Sequence, residues 1–275
     1  MNDERRIGPT MAIVLAAGLT VHAGATELST NPIAVAVRHG DCRAAVDLVI
    51  HGAASNDGPA VYLGGRMLDA GICVHRDLEA AAKFFARAAD LGDHDSSLEY
   101  AAKVGMGEGF EQNYQRAGEI CRGAGIDPQT RLSSYSLGYA CTVRGVAGRL
   151  LRERLPAGAF RPDSGALLVA FNPASAQMSI VSTPKVEVEA DAPTGSKVRR
   201  QRVNARKEIE GAWQDALSAV PKPEPGHLDS QPAQLSLDVD MGLDQRQAKE
   251  SVDPDRNLRG LRPQDILPNF FTKPL

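Results

Sequence analysis

The sequence predicts an α-solenoid of two to three antiparallel helix pairs, followed by a small α+β module and an extended tail. The first observation is a self-similarity at a spacing of 36 residues, and repetition at this scale is typical of stacked repeat architectures. The second is a change of composition, since 13 of the 17 prolines lie between Pro156 and Pro274. The residues in register are Asp41, Asp77 and Asn113; Ala45, Ala81 and Ala117; Leu48, Phe84 and Ile120; Val49, Phe85 and Cys121; and Gly71 and Gly107.

The N-terminal stretch resembles a secretory signal. Arg5 and Arg6 precede an uncharged run from Met11 to Val21, and Ala23-Gly24-Ala25 supplies the small residues that a signal peptidase reads. We therefore predict a cleaved signal peptide over residues 1–25, no transmembrane anchor after cleavage, and a periplasmic or secreted protein. The net charge of −3 and the 43% apolar content predict an ordinary globular protein that is not adapted to a polyanion.

Between residues 41 and 154, helical periodicity predicts six helices joined by short connections. Asp41, Asp77 and Asn113 are suitable N-caps, and Gly71 and Gly92 are suitable helix ends. Short connections between helices favour antiparallel neighbours. The predicted helices run from Asp41 to Gly52, Pro59 to Ala70, Asp77 to Leu91, Asp95 or Ser96 to Gly105, Asn113 to Ala124, and Ser133 to Arg154.

This part of the chain resembles the Sel-one-like repeat family, relatives of the tetratricopeptide repeats that commonly serve as adaptors for protein assembly. The resemblance covers about residues 41–154 and implies a helical-repeat domain over residues 26–155. In this pattern, Cys73 stands where the second loop glycine is expected, and Gly64 where a leucine is usual. The matching residues are Gly65, Gly71-Ile72-Cys73-Val74, Asp77, Ala81, Phe84-Phe85, Ala88-Ala89 and Gly92, then Gly107-Glu108-Gly109-Phe110, Asn113-Tyr114, Ala117, Ile120 and Ala124.

The C-terminal half predicts a second, smaller domain over residues 156–241. Segments that are continuously apolar, or in which apolar and polar residues alternate, predict strands over residues 166–171, 178–181, 185–190 and 235–239. An amphipathic helix is predicted over residues 197–220. Charge and proline from Gly242 onward predict a poorly ordered tail over residues 242–275.

All four cysteines lie in the first half of the chain, and an even number in an exported protein favours disulfides. Antiparallel packing would bring Cys42 near Cys73, while Cys121 and Cys141 lie on consecutive helices. The alternative for the first pair is a zinc site made of His39, Cys42, Cys73 and His75. The sequence contains no established cofactor motif, so we expect no cofactor.

Two groups of residues are candidates for binding. Tyr62, Arg66, Asp69 and Lys103 are polar positions on the first helices of the repeats, where a concave surface would bind a protein or a cell-envelope component. A basic segment without acids predicts a local anionic ligand, and the absence of interleaved aromatic residues argues against nucleic acid. That segment contains Lys197, Arg199, Arg200, Arg202, Arg206 and Lys207.

The leading hypothesis is therefore an exported adaptor, and two alternatives remain. Ser182 and Lys185 have the spacing of penicillin-binding enzymes, and some cysteine-rich members of the resembled family are associated with penicillin binding, which gives a cell-wall hydrolase or β-lactamase-like protein. That chemistry needs the serine at the start of a helix. The other alternative is an envelope module like the C-terminal domains of TonB and TolA, which share these element types.

Overall fold

A computed structural model describes residues 31–125, 130–154, 167–182 and 205–237. The predicted signal peptide, the strand predicted over 185–190 and the predicted tail lie outside the described residues. Within them the chain is rich in helix and carries a small antiparallel sheet. The elements are α1 (Pro32–Arg38), α2 (Cys42–Ala54), α3 (Gly58–Ala70), α4 (Leu78–Asp90), α5 (His94–Met106), α6 (Tyr114–Gly123), α7 (Ser134–Arg154), β1 (Leu167–Asn172), β2 (Gln177–Ser182), α8 (Ala205–Ala219) and β3 (Ala233–Leu237).

The 36-residue repeat appears in the structure as the same capping chemistry at α2, α4 and α6. The side chains of Asp41, Asp77 and Asn113 each accept a hydrogen bond from the backbone N–H three residues later, at 3.0, 2.9 and 2.9 Å. Gly71 and Gly107 end α3 and α5 with left-handed φ angles of 70° and 76°. Repeated sequence therefore corresponds to repeated helix starts and ends.

Consecutive helices from α2 to α7 contact one another in chain order, and α5 also contacts α7. The aromatic pair of α4 packs on small residues of α3. A Cβ atom added to Gly64 would lie 2.8 Å from a ring carbon of Phe84, and one added to Gly65 would lie 2.8 Å from a ring carbon of Phe85. Both glycines are therefore needed for this close crossing.

The crossing of α6 and α7 is closer still and gives a prediction with a control on the same helix. A Cβ atom at Gly118 would clash with the carbonyl oxygen of Ser134, whereas one at Gly123 would meet nothing within 4 Å. We expect Gly118→Ala to lower the free energy of unfolding by about 2–3 kcal/mol through overpacking. Gly123→Ala should raise it by up to about 1 kcal/mol through helix propensity. Urea denaturation of both variants checks this, and equal effects would contradict the described crossing.

The sheet has the strand order β2-β1-β3, and both pairings are antiparallel. Alternate residues of β1 (Leu167, Val169 and Phe171) and of β3 (Ala233, Leu235 and Leu237) are buried. Helix α8 buries Ile209, Ala212, Trp213 and Ala216. The helix predicted over 197–220 is thus described from Ala205 to Ala219, and residues 197–204 lie outside the description.

The strands and α8 share a core with the N-terminal helices. Tyr139 of α7 lies 6.0 Å from Phe171 between ring centroids, and Phe171 lies 5.2 Å from Trp213. The buried apolar residues of both segments form one connected cluster. The boundary predicted at residues 155 and 156 falls in a stretch outside the description, and the two described segments on either side of it pack together.

Two disulfides are present, Cys42 to Cys73 and Cys121 to Cys141, with Cα atoms 5.0 and 6.8 Å apart. Cys73 has a left-handed φ of 60°, and its repeat equivalent, Gly109, has a φ of 79°. At Gly109 an added Cβ would lie 3.0 Å from the Cα of Glu79, so this loop, which follows α5, closely approaches the start of α4. At Cys73 the same approach allows a covalent bond, which accounts for a cysteine in a glycine position.

Removing the first disulfide has a predictable cost. Cys42 and Cys73 are 31 residues apart, so a Cys42→Ser/Cys73→Ser variant should lose about 3–4 kcal/mol of unfolding free energy, because its unfolded chain regains the freedom of that loop. Guanidinium denaturation measures the loss. Mass measurement of the starting protein is the control, since each disulfide lowers the mass by two hydrogen atoms; a full-mass protein would contradict both bridges.

Candidate functional site

The four polar residues predicted on the repeat helices are buried. Tyr62, Arg66 and Asp69 on α3 and Lys103 on α5 are only 4, 6, 5 and 2% exposed. The expectation that they form an open surface is therefore corrected. They lie where α3, α5 and α7 come together, and their polar ends contact other polar side chains there.

Four charged residues make what we call the inner charge cluster: Asp69, Lys103, Glu108 and Arg149. Lys103 Nζ pairs with Asp69 and lies 2.6 Å from Glu108 Oε2. Arg149 Nη1 lies 3.1 Å from Glu108 Oε2 and 3.8 Å from Asp69 Oδ1. The cluster ties together α3, α5, the loop after α5, and α7.

The carboxyl groups of the cluster are held in the charged form. Burial alone would raise the pKa of Asp69, but the charges of Lys103 and Arg149 outweigh it, and the pKa falls below its ordinary value. Burial would also raise the pKa of Glu108, but the charges of Lys103 and Arg149 again outweigh it, and the pKa of Glu108 is lowered. Since the lowered pKa belongs to the folded state, both groups stabilise the fold when ionised.

Stability should therefore fall in acid. The contribution of the two carboxylates is complete above their ordinary pKa values of 3.8 and 4.5, and it is lost as the pH falls through the lower values of the folded state. The urea concentration at the midpoint of unfolding, measured from neutral pH to about pH 3, should therefore decrease toward the acid end of this range. In a Lys103→Met variant the decrease should be smaller, because one of the cations that lowers both pKa values is gone. An identical decrease in the two proteins would contradict the assignment.

Beside this cluster, residues of α3, α5 and α7 line a small cleft. Arg152 Nη2 lies 2.6 Å from Glu99 Oε1, which joins α7 to α5 across it. Arg66 Nη1 donates to the hydroxyl of Tyr62 at 2.8 Å, and burial raises the pKa of Tyr62, which keeps its hydroxyl protonated. The lining residues are Tyr62, Asp95, Leu98, Glu99, Arg144, Gly145, Gly148 and Arg152.

The described residues do not form the alternative zinc site. Cys42 and Cys73 are bonded to each other, so neither sulfur is a thiolate ligand, and His39 and His75 are exposed. No group of three or more histidine, cysteine or acidic side chains within the described ranges could hold a metal ion.

The serine of the penicillin-binding pattern lies in extended structure. Ser182 is the last residue of β2, whereas that chemistry needs a serine at a helix start with the lysine one turn later. Lys185 lies outside the described residues. Of the basic segment, Arg206 is exposed and pairs with Glu210 at 2.8 Å, while Arg199, Arg200 and Arg202 lie outside the description. An anionic ligand there stays a prediction.

Sequence reasoning missed Glu99, Glu108, Arg144, Arg149 and Arg152. A signal for two of them was present, since Arg144 and Arg152 lie eight residues apart along the most apolar part of α7 and therefore on one side of it. Charged residues on a helix side that should be buried indicate a polar partner on the neighbouring helix. The partner of Arg152 is Glu99, which lies 53 residues away along the chain, so no local sequence pattern identifies it.

No protein-family model matches the chain, and neither a curated protein nor a solved structure matches it. Membership of the Sel-one-like family therefore stays a prediction. The cleft and the inner charge cluster are the features of the described residues that bear on function.

Proposed function

We propose that α2 to α7 form an α-solenoid of antiparallel helix pairs like the Sel-one-like repeats, and that it acts as an adaptor. The support is the repeated capping at α2, α4 and α6 together with contact between consecutive helices. In such a stack α3, α5 and α7 are the first helices of successive pairs and share one face.

The observation that carries the adaptor function is the concentration of polar side chains on that face. The second helix of the first pair, α4, buries an apolar surface that includes Phe84 and Phe85. The first helices instead line one cleft with the buried side chains of Tyr62, Glu99, Arg144 and Arg152 and with Asp95, which is partly exposed. Polar groups at the mouth of a groove fix the identity and orientation of a partner. The partner is a protein or a cell-envelope component.

We place this function outside the cytoplasm. Two disulfides are compatible with an exported protein, since such bonds form and persist in oxidising compartments. Within the described ranges, no helix has both the length and the apolar character required to cross a membrane. A periplasmic or secreted location agrees with the signal peptide predicted from residues 1–25.

The test is site-specific photo-crosslinking with the full-length protein in its native envelope. A photoreactive amino acid at position 95, which lines the cleft, should capture a defined partner. The matched control is position 48 on α2, a helix that contributes no residue to the cleft; Leu48 is 37% exposed. Equal capture from both positions, or none from position 95, would contradict binding at this face.

A further inference from the structure

Two buried hydrogen-bond donors on the lining of the cleft have no acceptor among the described residues. Arg152 is 7% exposed, and its Nε–H is buried and unpaired. Tyr62 is 4% exposed, and its hydroxyl oxygen accepts a hydrogen bond from Arg66 Nη1 at 2.8 Å, so its own hydrogen is left to donate elsewhere. Leaving buried donors unpaired is costly, so the two indicate an acceptor that the described residues do not supply.

The same place has a buried positive charge without a counter-charge. Arg66 is 6% exposed, and among the described residues no carboxylate forms an ion pair with it. Two acids that act on its charge, Glu99 and Asp69, already pair with Arg152 and Lys103. Because an unpaired buried cation is costly to desolvate, an acceptor that carries a negative charge is favoured over a neutral one.

The other charged residues of the lining leave this balance unchanged. Arg144 Nε donates to the backbone carbonyl of Ser236, and Asp95 is partly exposed and has an interaction of its own. Their charges are opposite, so together they add no net charge. Around the cleft, the three cations Arg66, Arg144 and Arg152 therefore face the two acids Asp95 and Glu99.

The size of the cleft limits the anion to a small one. The enclosed space between the lining side chains has room for about one water-sized species. Gly145 and Gly148 contribute no side chain beyond Cα, so the backbone of α7 forms part of the wall. A chloride ion is only slightly larger than a water molecule and accepts hydrogen bonds from any direction. Sulfate, phosphate and organic carboxylates need more room.

We infer that this cleft binds a single chloride ion, held by the Nε–H of Arg152 and the hydroxyl of Tyr62, with the charge of Arg66 favouring the anion over water. The ion connects α3 to α7, because Tyr62 lies on one and Arg152 on the other. This inference goes beyond the adaptor function and does not depend on it, since an ion inside the cleft binds whether or not a protein contacts its mouth.

The test is chlorine NMR of the full-length protein titrated with sodium chloride, in which exchange of the ion with a protein site broadens the signal of free chloride. We expect a saturable broadening that sodium bromide reverses, because bromide has the same charge and a similar size. Sodium sulfate at matched ionic strength should reverse much less of it, since sulfate competes for exposed arginines but does not fit a water-sized space.

Tyr62→Phe is the informative variant, because it removes one of the two donors without changing any charge. We expect it to weaken chloride binding at least about tenfold, the usual effect of losing a hydrogen bond to a charged group. Tyr100→Phe is the matched control. The Tyr100 hydroxyl likewise accepts from an arginine, Arg116, at 2.6 Å, but Tyr100 does not line the cleft, so chloride binding should be unchanged.

Asp95→Asn tests the charge balance with an effect of the opposite sign. It removes an acid from the lining and leaves both donors and the pair of Glu99 and Arg152 in place. We expect it to tighten chloride binding at least about threefold, because repulsion of the anion is reduced. Circular dichroism verifies that each variant is folded, and Asp95→Asn keeps the test decisive if Tyr62→Phe does not fold.

Four results would overturn the inference. They are a broadening that a folded Tyr62→Phe variant leaves unchanged, a broadening that sulfate reverses as effectively as bromide, weaker chloride binding in Asp95→Asn, and no saturable broadening at all, which would mean that water occupies the cleft. None of them bears on capture of a protein partner from position 95, so failure here is distinguishable from failure of the adaptor function.

Discussion

Replacing Lys103 by methionine is expected to lower the free energy of unfolding by about 3 kcal/mol. The Lys103 side chain is 3% exposed and its ammonium group pairs with both Asp69 and Glu108, so its removal leaves two buried carboxylates with less compensation. Loss of one partner from a buried ion pair costs about 3–5 kcal/mol, and we expect the lower end because Arg149 remains 3.1 Å from Glu108 and 3.8 Å from Asp69. Urea denaturation at neutral pH measures the change.

A second substitution separates loss of charge from loss of packing. Adding Asp69→Asn to Lys103→Met should recover part of the lost stability, since the uncompensated buried charge is then removed as well. The surface control is Lys83→Met, whose partner Glu79 is largely exposed, and it should change stability by less than about 0.5 kcal/mol. If Lys103→Met behaved like Lys83→Met, the inner charge cluster would not be buried as described.

Trp213→Ala should lower the free energy of unfolding by about 3–5 kcal/mol, the usual cost of truncating a fully buried aromatic side chain. Trp213 is 0% exposed and its ring lies 5.2 Å from that of Phe171. Because Phe171 in turn contacts Tyr139 of α7, the loss should destabilise the N-terminal helices together with the sheet. Guanidinium denaturation followed by circular dichroism should show one transition at a lower midpoint.

Gln214→Ala on the same helix is the matched control, since Gln214 is exposed and its replacement should change stability by less than about 0.5 kcal/mol. Two separate transitions in the Trp213→Ala protein, with the helical one unchanged, would mean that the C-terminal elements fold independently. That result would contradict the shared core.

The parts of the fold that the sequence predicted are those with local causes. Asp41, Asp77 and Asn113 cap helices through a bond to a residue three positions away, so their positions alone predict the helix starts. Helix α1 was not predicted, because seven residues are too few to show a helical period. Its capping signal is nevertheless present: Pro32 begins the helix, and the side-chain oxygen of Asn31 accepts a hydrogen bond from the Ile33 N–H at 2.9 Å.

The interactions that sequence reasoning missed depend on distant residues. Lys103 is 34 residues from Asp69, and Arg149 is 41 residues from Glu108, so no local pattern distinguishes these buried pairs from polar groups on an open surface. The contacts of Tyr139 with Phe171 likewise cross the stretch where proline content changes, which predicted a boundary. Composition reports local flexibility but not which apolar faces later pack together.

The central claim is that the face formed by α3, α5 and α7 is the binding face of this protein. The most direct measurement is the affinity of the partner captured from position 95 for the unmodified protein and for two charge-reversal variants, Asp95→Lys in the cleft and Lys83→Glu on α4. We predict that Asp95→Lys weakens binding at least about tenfold while Lys83→Glu leaves it within about twofold. Equal affinities in a folded Asp95→Lys protein would contradict the claim.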